Sequence, residues 1–166
     1  LWIWFQVDAI RAVLTVRRSA VKAATATMNQ IHNLLITAPN QLREQYRTLS
    51  GAKLVAALAA QTADDHHHIR TALQRLAHRH QHLTAEVTAA DTDLDHLTAL
   101  ANPALRSGYG IGPISAAQLL VTAGDNPDRI TTDAKLAALC GISPIPASSG
   151  KTNRHRLNRG GDRQAN

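Results

Sequence analysis

The sequence predicts a mainly α-helical chain: a long antiparallel coiled-coil hairpin, then a small helical domain with a paired-glycine turn and a basic serine loop. Three observations carry this expectation. Apolar residues recur at alternating steps of three and four through two long stretches. Aromatics are scarce, and Trp2, Trp4 and Phe5 fall at the very start, so the core must come from Leu, Ile, Val and Ala, the side chains of helix-on-helix packing. Beyond residue 101, Gly and Pro punctuate the chain at the intervals that start and stop short helices.

The first series runs Val7, Ile10, Leu14, Arg17, Val21, Ala24, Met28, Ile31, Leu35, with Arg17 its one misfit. The second runs Ile69, Leu73, Leu76, His80, Leu83, Val87, Ala90, Leu94, Leu97, with His80 its one strongly polar member. Both are heptad seams. Each helix should span about 30 residues, roughly 45 Å, and equal lengths suit a hairpin. Pro39 and Ser50-Gly51 interrupt the connection, which is expected to form short helices, one over Lys53–Thr62. Asp64 and Asp65 are placed to cap the second long helix. Consecutive His66, His67 and His68 point about 100° apart on a helix and cannot converge on one metal. His78 with His82, and Asp91 with Asp95, share faces at i, i+4, but neither pair has a third and fourth ligand, so a solvated helix surface is expected and no metal site is assigned. His80 is expected to set register.

No stretch approaches the roughly 20 apolar residues of a membrane span, and the apolar start is too short for a signal peptide. The single Cys140 excludes an internal disulfide, fits a reducing cytoplasm, and sits in the apolar run Leu136-Ala-Ala-Leu-Cys140, where core packing is expected. Charge is uneven. Residues 1–100 carry ten Lys/Arg against eight Asp/Glu, whereas residues 147–166 carry Lys151, Arg154, Arg156, Arg159 and Arg163 against Asp162 alone. A phosphate backbone is the partner that such a footprint suits, although a merely solvated basic tail would have the same composition.

Pro103 should end the second long helix. From Leu105 to Leu120 the pattern is helix, tight turn, helix: Gly110 and Gly112 flank Ile111, Pro113 suits a first helical turn, and Gly124 suits a C-cap. The pattern resembles the helix-hairpin-helix motif of DNA repair and recombination proteins, in which backbone N–H groups of the glycine turn approach a DNA phosphate without reading sequence. Gly108-Tyr109 departs from that motif, and a plain helical turn would satisfy the same spacing.

Thr131 or Thr132 can cap a short helix through Leu139, closed by Gly141. Pro144 and Pro146 then stiffen the approach to Ser148-Ser149-Gly150-Lys151, and the cations follow at once. A serine hydroxyl is a poor nucleophile without activation. Clustered Arg and Lys can hold a phosphodiester and stabilise the charge that develops in phosphoryl transfer. The loop therefore suits serine attack on DNA, and equally suits a binding loop whose serines only donate hydrogen bonds.

Residues 102–166 resemble the C-terminal domain of the DEDD-type insertion-sequence transposases, the bridge-RNA-guided recombinases. The resemblance lies in Tyr109-Gly-Ile-Gly-Pro113, Leu119-Leu-Val-Thr-Ala-Gly-Asp125, Leu136-Ala-Ala-Leu-Cys-Gly141, Pro144-Ile-Pro-Ala-Ser-Ser-Gly150 and Arg154-His-Arg-Leu-Asn-Arg-Gly-Gly-Asp-Arg163. Upstream, Arg17-Arg-Ser-Ala20 and Ala38-Pro-Asn-Gln-Leu-Arg43 resemble the helical linker of actinobacterial members. The resemblance implies transposition by DNA cleavage and rejoining in a bacterial cytoplasm. It implies a serine nucleophile, Ser149 directly before Gly150 or its neighbour Ser148, and nucleic-acid binding by Gly110, Gly112, Lys151, Arg154, Arg156, Arg159 and Arg163. Transposon-end and target DNA, a guide RNA and a second copy through the coiled coil are the implied partners.

The resemblance also implies a RuvC-like domain with four acidic residues that bind divalent metal, and no such set is legible here, so no cofactor is assigned to this chain. Residues 1–6 are expected to be the remnant of an upstream element, an unpaired apolar strand. Residues 7–101 are expected to form the helical hairpin and 102–166 the transposase domain, ending where Gly160-Gly161-Asp162 looks like a helix start. A fragment inactive alone is the corresponding expectation. The alternative is a non-catalytic DNA- or RNA-binding or dimerisation module.

Overall fold

The structure, a computed structural model, describes residues 2–61, 68–124, 130–148 and 150–165, with the backbone alone for 2–5. It is mainly helical. The elements are α1 (Trp2–Thr37), α2 (Asn40–Tyr46), α3 (Gly51–Ala59), α4 (His68–Ala101), α5 (Pro103–Arg106), α6 (Pro113–Ala123), α7 (Asp133–Leu139), β1 (Ile145–Pro146) and β2 (His155–Arg156). The strands pair antiparallel, Ile145 opposite Arg156 and Pro146 opposite His155. Among the described residues no helix is long and apolar enough to cross a membrane.

The chain divides into two compact units. One is Val16–Ala90; the other joins Leu1–Thr15 to Asp91–Asn166. The core of the first gathers Ile31 and Ala38, Leu42 and Tyr46 of α2, Leu54, Val55 and Leu58 of α3, and Leu73 and Ala77 of α4. Each large aliphatic side chain so buried contributes about 1.5–3 kcal/mol. In this unit Ile31 lies near Leu73, and Val21 near Val87, so α1 and α4 run antiparallel. Gln74 of α4 donates to the carbonyls of Gln61 (2.6 Å) and Ala59 (3.4 Å), satisfying backbone acceptors that the end of α3 leaves free. The core of the second unit joins Ile10 and Leu14 of α1, Leu94 of α4 and Ala117 of α6.

The long helices and the short helices between them agree with the sequence reading, and two details differ. The apolar start is not a strand: the backbone is helical from Trp2, ahead of the first seam residue Val7. The buried line also drifts off the heptad series. Ala20 and Thr27 are buried where the series places Val21 and Met28, and Ala77 and Thr98 where it places Leu76 and Leu97. On α4 the shift is one residue later, the direction in which a straight helix of 3.6 residues per turn drifts, by about 20° per heptad, against a 3.5-residue repeat; on α1 it is one residue earlier, with Ile31 still on the series. The threonines tolerate burial because each hydroxyl bonds one turn back, Thr27 to Ala23 O (2.8 Å) and Thr98 to Leu94 O (2.7 Å). Asp64, Asp65, His66 and His67 lie outside the described residues.

Candidate nucleic-acid interface

The glycine turn forms as its sequence dictates. Asn102 caps α5, its Oδ1 accepting the Leu105 N–H at 2.9 Å with Pro103 in the first turn. The N–H of Ile111 then donates to Gly108 O (3.1 Å), and a Cβ on Gly108 would meet the Ile111 side chain at 2.9 Å. Gly110 takes φ +79°, a left-handed conformation that favours glycine. Gly112 is the N-cap of α6 and Pro113 its first residue; Gly124, at φ +68°, closes it. Gly110 and Gly112 are exposed, with no atom near where a Cβ would stand. Tyr109, beside them, is fully exposed.

Arg106 locks this turn, a role the sequence reading missed. Its guanidinium donates to Ile111 O (2.9 Å) and to Asp95 Oδ1 of α4 (2.5 Å). Asp95, weighed above as half of a metal-binding pair, is therefore held by a cation. Among the described residues no group of three or more His, Cys, Asp or Glu side chains is placed to share a metal.

Thr132 caps α7 through Lys135 N–H (3.3 Å), and Cys140 at the helix end is buried. Gly141, at φ +76°, turns the chain into β1. The hairpin that follows is closed at Arg154. The carbonyl of Arg154 accepts from Ala147 N–H (2.8 Å) and from Ser148 Oγ (3.2 Å), while the Arg154 N–H donates to Ser148 Oγ (2.6 Å). Gly150 in the enclosed loop has φ +102°. Ser148, Lys151, Arg154, Arg156, Arg159 and Arg163 are all exposed, and none of these five cations forms an ion pair with a described residue. Ser149 lies outside the described residues.

Three anchors hold this basic segment to the helices. Asn158 Nδ2 donates to Ala138 O (3.5 Å). The backbone of Gly161 presses on Gly141, and the Asp162 N–H donates to Leu139 O (2.8 Å). The carboxylate of Asp162 reaches α6, accepting from Gln118 Nε2 (2.9 Å) and Thr122 Oγ1 (2.5 Å), while its other oxygen accepts Gln164 N–H (2.8 Å). Asp162 thus closes a turn at residues 163–164, where the sequence reading expected a helix start. Its main partners are on α6. The signal was legible: Gln118 is the one long polar side chain in Ile114-Ser-Ala-Ala-Gln-Leu-Leu120, and it is buried.

One helix therefore carries both candidate elements: α6 begins at the glycine turn, and its Gln118 and Thr122, about one and a half to two and a half turns on, hold the end of the basic segment.

Residues 102–166 match the model of the transposase IS116/IS110/IS902 family. No curated protein and no solved structure matches the chain. The segment that contains the glycine turn, the clasped hairpin and its anchors is thus similar to the transposases of that family.

Proposed function

We propose that this chain binds DNA for transposition, gripping the phosphate backbone with the basic hairpin and the glycine turn, and that Ser149 is its nucleophile toward a DNA phosphodiester. One observation carries the binding part: five exposed cations, none ion-paired with a described residue, stand on a hairpin closed on itself and on the segment that follows it, which is tied to two helices. Cations so mounted meet phosphates without first breaking ion pairs to described residues, and the release of counterions drives association. Exposed N–H groups at the start of α6 favour an anion as well.

The nucleophile rests on the family likeness of residues 102–166 and on the loop chemistry. In the step it implies, the serine oxygen bonds to phosphorus as phosphorus separates from one sugar oxygen. The serine proton passes to solvent, and the leaving sugar oxygen takes one up. Rejoining runs the same exchange backwards with a new sugar hydroxyl. The divalent metal of the resembled recombinases fits no described cluster here, so no step is assigned to it, and strand cleavage is assigned to this loop acting with a separate acidic domain. A guide RNA and pairing of copies through the long helices belong to the same reading.

Fluorescence anisotropy with a transposon-end duplex tests the binding. Replacing Lys151, Arg154, Arg156 and Arg159 together by Ala should weaken it by more than about tenfold. Equal affinity of the two proteins contradicts the proposal. With the acidic domain supplied, a serine–DNA link should map to Ser149 and vanish in Ser149→Ala; a link that persists in that variant removes the nucleophile assignment.

A further inference from the structure

We infer that Ser148 is the clasp of the basic loop and not its nucleophile, an inference that rests on the reading of this loop as the DNA-engaging element. The two neighbouring serines are chemically alike, and the sequence alone leaves either free to attack. The geometry engages Ser148. Ser148 Oγ sits between the two backbone groups of Arg154, accepting from its N–H at 2.6 Å and donating to its carbonyl at 3.2 Å. The hydroxyl's one proton is thus committed to a peptide carbonyl, which is no base, and a lone pair is committed to a peptide N–H. Attack on phosphorus would require breaking both bonds.

The same pair of bonds does work for the loop. Ala147 N–H meets the same Arg154 carbonyl at 2.8 Å, so the two strands are joined at three points just below the turn. Between Ser148 and Arg154 lie Ser149, Gly150, Lys151, Thr152 and Asn153. A closed base limits the conformations open to that short loop, and so lowers the entropy lost when its cations and Ser149 settle on a phosphate. Ser148 acts through its neighbours, as a positioning residue. Only a side chain that donates and accepts at one atom fills this role, which threonine shares and alanine does not.

The test compares Ser148→Ala and Ser148→Thr with the unmodified chain by amide hydrogen exchange at Arg154 and by duplex affinity. Ser148→Ala should speed Arg154 exchange up to about tenfold, the loss of one ordinary hydrogen bond, and weaken duplex binding several-fold; Ser148→Thr should restore both. Unchanged Arg154 exchange in Ser148→Ala overturns the clasp. Faster exchange with full affinity overturns the positioning role, as does failure of Ser148→Thr to restore affinity. A serine–DNA link mapped to Ser148 overturns the assignment outright. Should the unmodified chain bind no DNA while Arg154 exchange still depends on Ser148, the proposed function fails and the clasp stands.

Discussion

Gly161 packs so closely on Gly141 that a Cβ added to Gly161 would lie 2.2 Å from the Gly141 Cα. Backbone meets backbone there, so nothing flexible can yield. Gly161→Ala should cost about 1–3 kcal/mol, the range for forcing atoms into a packed site. Thermal unfolding checks it, and a melting temperature equal to that of the unmodified chain would show that the approach is looser than described.

Asp162 and Gln118 should be energetically coupled. Gln118 is buried, and Asp162→Ala strips its Nε2 and the Thr122 hydroxyl of a carboxylate acceptor. Unfolding in urea should show a loss of about 1–3 kcal/mol for Asp162→Ala. A double-mutant cycle with Gln118→Ala should give a coupling of at least about 0.5 kcal/mol. Strict additivity would mean that the basic segment is anchored elsewhere.

Arg106→Lys should destabilise the glycine turn although it keeps the charge. A guanidinium reaches Ile111 O and Asp95 together, and a single ammonium cannot reproduce that fork. A loss near 1 kcal/mol is expected in urea unfolding. Asp95→Ala should cost less, because the Asp95 side chain is 60% exposed, whereas that of Arg106 is 22% exposed. The reverse order would place the weight of the contact on the ion pair rather than on the turn.

Much of this architecture was legible beforehand, and particular residues show why the rest was not. The heptad series found both long helices because period is a local property. It placed Val21 and Met28 on the buried line, whereas Ala20 and Thr27 occupy it, because the side of a helix that its neighbours cover depends on how the helices meet. Pro113, Gly124 and Thr132 declared their caps through stereochemistry that needs no tertiary context. The partners of Asp162, Arg106 and Ser148 are separated from them in sequence. A sequence pattern shows that a buried Gln or a lone Arg needs a partner, but not which one. For the candidate site, composition located the cations and the serines. Only the hairpin register could show that Ser148 is already engaged.

The salt dependence of duplex binding tests the central claim most directly. Each phosphate neutralised contributes about −0.9 to the slope of log affinity against log salt. Anisotropy titrations across salt concentrations should give a slope of roughly −3 to −5 for a chain gripping DNA with most of the five exposed cations of its basic segment. Replacing Arg154, Arg156 and Arg159 by Ala should make it shallower by about two or more. The same slope in both proteins, or no measurable binding at low salt, would contradict the account.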